Sequence, residues 1–261
     1  MPNSKHVIHP SGKLGITFTE DNHLYVDDFG MEYTSSTTLV HSAFEEFNAE
    51  KVAAVKSART GIPAEHYVNE WKEYGEQRAR IGTRTHENCE RQILGRYSEM
   101  HQPEDDDERA RFRAAWFEVE KLKENYLILE PEKLIFSPRF RIAGSIDLLG
   151  CRSDGSYSII DWKFIKELKT TAFHDKTGIH LATRHIPDCN FYHYALQTNI
   201  YDQVLRVEGY IPARASVDKW LCVYDFTQRK FDFIRMPDLA HEALLLMAFN
   251  ATGDNLDFVP F

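Results

Sequence analysis

The hydrophobic period of this chain changes near residue 127, and that change constrains the fold more than any other feature. Five segments beyond this point are rich in β-forming residues and are bounded by turn residues: 127–136, 140–149, 156–165, 219–225 and 230–235. Three helices are predicted before, between and after them: 104–126, 191–207 and 239–250. Strands and helices in this order predict an α/β fold, with a mixed central sheet flanked by helices.

The N-terminal part is predicted to begin with a β-hairpin and then to become helical. Residues 15–34 alternate apolar and polar side chains around a turn at Asp21-Asn22, which is typical of a hairpin. Thr37 or Thr38 is the predicted N-cap of a helix over 39–47.

Helical spacing continues over 49–97, with a break at Gly61-Ile62-Pro63 and a second candidate break at Gly75. The acidic run 104–108 opens the next predicted helix, where negative charge is favourable at the positive end of the helix dipole. We therefore expect a mainly helical N-terminal part that packs against the sheet.

Composition excludes several classes of protein. The 261 residues carry 31 basic and 40 acidic side chains, a net charge of −9, which argues against a protein that coats nucleic acid and leaves room for a local basic groove. The longest apolar run, 243–249, is too short to span a membrane, and the first residues lack a signal sequence, so we expect a cytoplasmic protein. The four cysteines form no close pair, so neither a disulfide framework nor an iron–sulfur cluster is expected.

The segment from 141 to 163 carries the clearest chemical signal. Asp154-Gly155 is a strong turn signal, and a hairpin centred on Asp154 pairs Asp147 with Asp161. Directly opposed residues have Cβ atoms about 4.5–5.5 Å apart, so two carboxylates there repel unless a positive charge lies between them. Carboxylate oxygens are the ligands that Mg²⁺ and Mn²⁺ prefer, so we expect a divalent cation at this position.

Strand alternation places Lys163 on the same face as Asp161. The apolar neighbours are predicted to share the opposite face: Ile146, Leu148, Ile160 and Trp162. Incidental charges on a solvent-exposed strand would explain a lone Asp-x-Lys, but the register with Asp147 favours a functional site.

Four motifs together resemble a known family. Gly144-x-x-Asp147 followed by Asp161-x-Lys163 resembles the PD-(D/E)XK nuclease superfamily. The segment from Gly82 to Glu90 resembles the first motif of its RecB-type branch, in which a helix supplies a metal-binding histidine, here His86. Gln197-x-x-x-Tyr201 resembles a further motif of that branch, and all four occur in the family's order.

The resemblance implies a restriction-endonuclease-like core and hydrolysis of phosphodiester bonds with Mg²⁺ or Mn²⁺. We expect that core in residues 126–261, and an N-terminal hairpin and helical region that includes the His86 helix in residues 1–125, as one compact domain. The implied metal ligands are His86, Asp147, Asp161 and the backbone carbonyl of Trp162, with Glu90 and Glu130 as further candidates. Lys163 would orient the attacking water and neutralise charge on the phosphate.

Other side chains are expected to position DNA. Tyr194, Gln197 and Tyr201 share one face of a helix beside the catalytic hairpin, although a packing stripe has the same spacing. The predicted basic groove combines residues on both sides of the site: Arg78, Arg80, Arg84, Lys166, Lys169 and Lys176. A solvated helix face would explain the arginines equally well. The spacing of His185, Cys189 and His193 is like that of zinc ligands, but Pro187 interrupts any helix there. A loop that guides the DNA strand is therefore favoured.

Three functions remain open at this point. The first is a DNA exonuclease acting at single-stranded ends; the second is a structure- or site-specific endonuclease on the same core; the third is an inactive DNA-binding protein. The chain lacks a phosphate-binding Gly-x-x-x-x-Gly-Lys-Ser/Thr loop, so we expect a stand-alone nuclease or one that works with a separate helicase, recombinase or single-strand-binding protein.

Overall fold

The computed structural model describes residues 4–253 and shows a mixed sheet with helices on both faces, which confirms the predicted α/β fold. The strands in chain order are β1 Ser4–Ile8, β2 Gly15–Thr19, β3 Leu24–Asp27, β4 Glu32–Ser35, β5 Ile128–Ser137, β6 Ile142–Cys151, β7 Tyr157–Lys163, β8 Val217–Asp225 and β9 Lys230–Arg235. The α-helices are α1 Ser36–Ser42, α2 Ala49–Thr60, α3 Ala64–Ile93, α4 Asp106–Asn125, α5 Asn190–Val207 and α6 Ala240–Thr252. Three short 3₁₀ turns lie at Tyr97–Glu99, Phe173–Asp175 and Leu181–Thr183.

The helix ends show where local sequence signals were correct and where they were not. Gly61 ends α2 in the left-handed region with φ of 75°, as the predicted break requires. Gly75 lies within α3 and does not interrupt it. The predicted cap at Thr37 or Thr38 is wrong: Ser35, the last residue of β4, accepts a hydrogen bond from the backbone N–H of Thr38 and starts α1.

The sheet forks at β6, and this fork forms the centre of the molecule. β5 pairs antiparallel with β6 at residues 142–146 and 148–151 and so covers one edge except at Asp147. On the other edge β7 pairs with residues 148–151, while β4 runs parallel to Ile142 and Ala143. Residues 144–147 of β6 therefore lie between two strands that diverge, where side chains can enter the gap.

Two core clusters pack against the faces of the sheet. Leu148, Ile160 and Trp162 pack with side chains of α3 and α4. Ile146 packs instead in the cluster that contains Leu196 and Ile200 of α5. The expectation that Ile146 shares a face with the other three is therefore wrong, because the regular alternation of β6 is interrupted at Asp147.

The N-terminal strands join the same sheet through the parallel pair of β4 and β6. The division of the chain at residue 125 stays a prediction, and the end of the expected core, residues 254–261, lies outside the described part. Within the described residues, none of the helices has the length and apolar character needed to cross a membrane.

Candidate active site

The register of β6 and β7 supports the predicted pairing of the two aspartates. Leu148 pairs with Ile160 and Leu149 with Ile159, so continuation of the ladder by one residue puts Asp147 opposite Asp161. The strands diverge at this point, and Oδ2 of Asp147 accepts a hydrogen bond of 2.9 Å from the backbone N–H of Trp162. The Asp147 side chain thereby replaces a backbone bond of the ladder and is held at the fork.

A third carboxylate lies beside those of Asp147 and Asp161, and the sequence analysis did not identify it. The register of β5 and β6 pairs Pro131 with Leu148 and Lys133 with Ile146, so Glu132 falls opposite Asp147. Glu132 adopts a left-handed φ of 45°, and its Oε2 accepts a hydrogen bond of 2.9 Å from the hydroxyl of Ser145. Glu132 is therefore fixed beside Asp147 by both its backbone and its side chain.

His86 of α3 lies next to the carboxylates of Asp147 and Glu132. Its Nδ1 lies 3.6 Å from Oδ2 of Asp147 and 3.9 Å from Oε1 of Glu132. Its Nε2 lies 3.1 Å from the backbone carbonyl of Trp162. A carbonyl only accepts, so Nε2 donates this hydrogen bond, and Nδ1 is the ring nitrogen that faces the two carboxylates.

The ligand atoms of His86, Glu132 and Asp147 all lie within 4.8 Å of one another. Of the predicted ligands, His86 and Asp147 belong to this group. The Trp162 carbonyl contacts His86, and Asp161 lies beyond the group, next to Lys163. We call His86, Glu132 and Asp147 the metal triad.

Asp161 and Lys163 form a buried ion pair beside the metal triad. Nζ of Lys163 lies 2.5 Å from Oδ2 of Asp161, whose side chain is only 4% exposed. The angle at which Nζ approaches Oδ2 departs from hydrogen-bond geometry. Within the described chain, no other donor lies within hydrogen-bond distance of this oxygen. Nζ also lies 5.1 Å from the ring centroid of Tyr194, within the range of a cation–π contact.

Several groups in this centre bind protons more tightly than usual. Burial and the charge of Asp147 raise the pKa of Glu132 to about 8 and also raise the pKa of Asp161. Burial by itself would lower the pKa of Lys163, but the carboxylates of Asp161 and Asp147 outweigh it and raise that pKa. The pKa values of the two carboxyl groups and of the lysine are all raised. This common direction indicates an excess of negative charge in the centre.

A divalent cation fits this centre. It would neutralise the excess charge, and its ligands would be one imidazole and two carboxylates. Imidazole nitrogen is a good ligand for Mn²⁺, and carboxylate oxygens suit both Mg²⁺ and Mn²⁺.

Tyr201 of the helical motif packs directly on Gly144 of the strand motif. A Cβ atom added to Gly144 would lie 2.7 Å from Cε1 of Tyr201 and 2.8 Å from Oγ of Ser36, so no side chain fits there. Nε2 of Gln197 donates to the hydroxyl of Tyr201 at 2.9 Å and to the hydroxyl of Thr37 at 3.1 Å. Gln197 and Tyr201 therefore connect α1, α5 and β6 three residues before Asp147.

The predicted basic residues separate into two sets. Arg78, Lys166 and Lys169 line one groove, together with Phe164, the residue after Lys163. Arg80 is paired with Glu104, and Arg84 with Glu104 and Glu108, so these two charges are neutralised within the protein. Lys176 forms an ion pair with Glu45.

The remaining candidate residues lie apart from the metal triad or at its edge. Glu130 pairs with Lys133 and stands opposite Leu149. Glu90 is near enough for its charge to contribute to the raised pKa of Glu132. His185 contacts Glu242, and His193 contacts Asp188, so these histidines have separate partners. Within residues 4–253 the metal triad is the one group of three or more His, Cys, Asp or Glu side chains whose ligand atoms lie this close together.

The match to a protein-family model agrees with this geometry. The model of the PD-(D/E)XK nuclease superfamily matches residues 25–222, a range that runs from β3 into β8 and includes the metal triad, Lys163 and Tyr201. Among solved structures, a "Putative exonuclease" from Eubacterium rectale is similar over 84% of this chain and 78% of its own, with 13% identity and a TM-score of 0.38. No curated protein matches the chain.

Proposed function

Because the chain belongs to the PD-(D/E)XK nuclease superfamily, we propose that it is a metal-dependent deoxyribonuclease that removes nucleotides from single-stranded DNA ends. The observation that carries the proposal is the metal triad with the Asp161–Lys163 pair beside it. Like charges are concentrated here at a cost to stability, and the arrangement supplies both a cation site and a fixed ammonium group.

The proposed chemistry assigns each side chain a separate task. Mg²⁺ or Mn²⁺ held by His86, Glu132 and Asp147 would polarise the scissile phosphate and lower the pKa of an attacking water. The raised pKa of Lys163 keeps its ammonium charged, so it acts as a hydrogen-bond donor that orients the water and offsets charge on the phosphate. Asp161 keeps that ammonium in place.

Tyr194 and the Gln197–Tyr201 pair act on the geometry of the centre. The ring of Tyr194 lies beside Nζ of Lys163 and limits where the ammonium can move. Tyr201 is buried, and its hydroxyl accepts a hydrogen bond from Gln197. Both residues therefore hold β6 in position, and other residues contact the DNA. A shift of about 1 Å in the scissile phosphate can slow a reaction on the order of 10²-fold.

An endonuclease on the same core is the second candidate, since the metal triad would serve either reaction. Linear and circular DNA distinguish the two, because a circle offers no end to an exonuclease. The intact Asp161 and Lys163 argue against a protein that only binds DNA.

The test uses end-labelled linear and circular DNA, single- and double-stranded, with Mg²⁺, Mn²⁺ or EDTA. We expect cleavage of linear single strands with either metal, no cleavage with EDTA and intact circles. Asp161→Ala and Lys163→Ala should both be folded and inactive. Cleavage of circles would favour the endonuclease, and cleavage in EDTA or by Lys163→Ala would contradict the proposed mechanism.

A further inference from the structure

A groove of about 410 Å³ is lined by the residues that directly follow Lys163 in the chain. Ligand pockets in proteins are roughly 300–1,000 Å³, so this volume is enough for one small ligand. The residues that follow Lys163 in the chain, 164–166, line it from one side, and Tyr74 and Arg78 of α3 line it from the other. Phe164 lines the groove, and its ring centroid lies 5.8 Å from that of His86, so a ligand in the groove would lie near the centre.

The cations of this groove lack the acidic partners that neighbouring cations have. Within the described chain, none of Arg78, Lys166 and Lys169 forms an ion pair, whereas Arg80 and Arg84 on the same helix as Arg78 are both paired. One carboxylate, Glu167, also lines the groove and leaves an excess of positive charge. In a chain with a net charge of −9, this local excess is suited to an anionic ligand.

Arg78 is held so that its flat guanidinium group forms part of the groove wall. The guanidinium carbon lies 3.9 Å from the ring centroid of Phe226 and 4.9 Å from that of Tyr74. Nε donates a hydrogen bond of 2.9 Å to the hydroxyl of Tyr74, which fixes the orientation of the group. Tyr74 itself is 38% exposed, so the groove presents a planar cation and an aromatic ring together.

We propose that this groove binds an unpaired nucleotide adjacent to the bond that is cut. The base would stack on Tyr74 and the guanidinium of Arg78, and the neighbouring phosphates would lie near Lys166 and Lys169. A base can stack in this way only when it is released from a duplex. The inference rests on the proposed nuclease function and narrows its substrate to single-stranded DNA at this position.

The base and the phosphate contributions can be measured separately. The full-length protein is titrated in EDTA, which prevents cleavage, with a fluorescent thymidine oligomer and with an abasic oligomer of equal length and charge. Stacking of one base on an aromatic group corresponds to about a 5- to 140-fold change in affinity, so we expect the thymidine oligomer to bind more tightly by a factor in that range.

Three variants identify the groove as the source of this preference. Tyr74→Ala removes the ring, and Arg78→Lys keeps the charge but removes the planar group; each should reduce the preference for the thymidine oligomer severalfold. Lys166→Ala combined with Lys169→Ala should weaken both oligomers equally and reduce the salt dependence of binding. Arg80→Lys is the matched control on the same helix and should bind like the wild type.

The outcomes separate this inference from the proposed function. Equal affinity of the wild type for both oligomers, or a preference that persists in Tyr74→Ala and Arg78→Lys, overturns the inference even if metal-dependent cleavage is observed. A preference that these variants lose, in a protein that cleaves no DNA with any metal, supports the groove and contradicts the nuclease activity.

Discussion

Gly144 provides a sharp test of how the motifs fit together, because the structure leaves no space for even one methyl group there. In Gly144→Ala the new Cβ would lie 2.7 Å from Cε1 of Tyr201 and 2.8 Å from Oγ of Ser36, whereas ordinary contacts begin at 3.4 Å. Tyr201 is 4% exposed and Ser36 is 2% exposed, so neither can move into solvent. Overpacking of this kind costs about 1–3 kcal/mol in the free energy of unfolding.

A second glycine gives the matched control with the opposite sign. Gly75 lies within α3, and a Cβ added there would meet no atom within 4 Å. Gly75→Ala should therefore stabilise the protein by about 0.8–1.0 kcal/mol, since alanine is the better helix former. For a chain of this size, 1 kcal/mol corresponds to roughly 2–4 °C in melting temperature, so the two variants should shift it in opposite directions.

Urea denaturation followed by tryptophan fluorescence measures both stabilities, and single-turnover cleavage measures the effect on the centre. Gly144→Ala should also cleave more slowly, because any movement of β6 displaces Asp147. The destabilisation should become smaller in a Ser36→Ala background, since one of the two close contacts is then absent. If Gly144→Ala melts and cleaves like the wild type, the inference that Tyr201 packs tightly on Gly144 is wrong.

Three further predictions address the centre itself. Glu132→Gln should weaken Mn²⁺ binding in calorimetry by at least about tenfold, whereas Glu130→Gln should not change it; equal effects would contradict the metal triad. Lys163→Ala should abolish cleavage without weakening Mn²⁺ binding, and a loss of Mn²⁺ affinity would give Lys163 a structural role instead. Tyr201→Phe and Gln197→Ala should stay folded, bind Mn²⁺ normally and cleave slowly, whereas Tyr201→Ala should also lose about 3–5 kcal/mol of stability; wild-type cleavage by the first two would reduce the motif to packing.

The sequence predicted the central hairpin well because one local signal controls it. Asp154-Gly155 fixes the turn between β6 and β7, and Gly155 adopts the positive φ of 81° that such a turn requires. With the turn fixed, strand alternation determines the faces of the residues of β7, whereas in β6 it is interrupted at Asp147. The observed pairing of Leu148 with Ile160 follows directly from it.

Elements without a local signal were missed or placed inaccurately. β1 is a short edge strand whose side chains are mostly exposed, so it has no apolar alternation to detect. Gly75 was a candidate break because glycine disfavours helices, but α3 tolerates it at an exposed position. Arg80 and Arg84 were assigned to DNA because the sequence does not show that Glu104 and Glu108 of a later segment neutralise them.

Glu132 shows most clearly why the candidate metal site could be predicted only in part. Glu130 and Glu132 are two residues apart, about 6.6–6.8 Å along a strand, and alternation alone would give them the same face, so periodicity cannot choose between them. The choice depends on how β5 pairs with β6, and the connection 138–141 contains no Asn-Gly or Asp-Gly signal that would set this register. A hairpin centred between Arg139 and Phe140 would have placed Glu132 opposite Asp147, as the structure does. Asp147 and Asp161 lie on strands joined by a diagnostic turn, so their pairing could be inferred from the sequence, whereas the place of Glu132 on the neighbouring strand becomes clear only when the pairing of β5 with β6 is known.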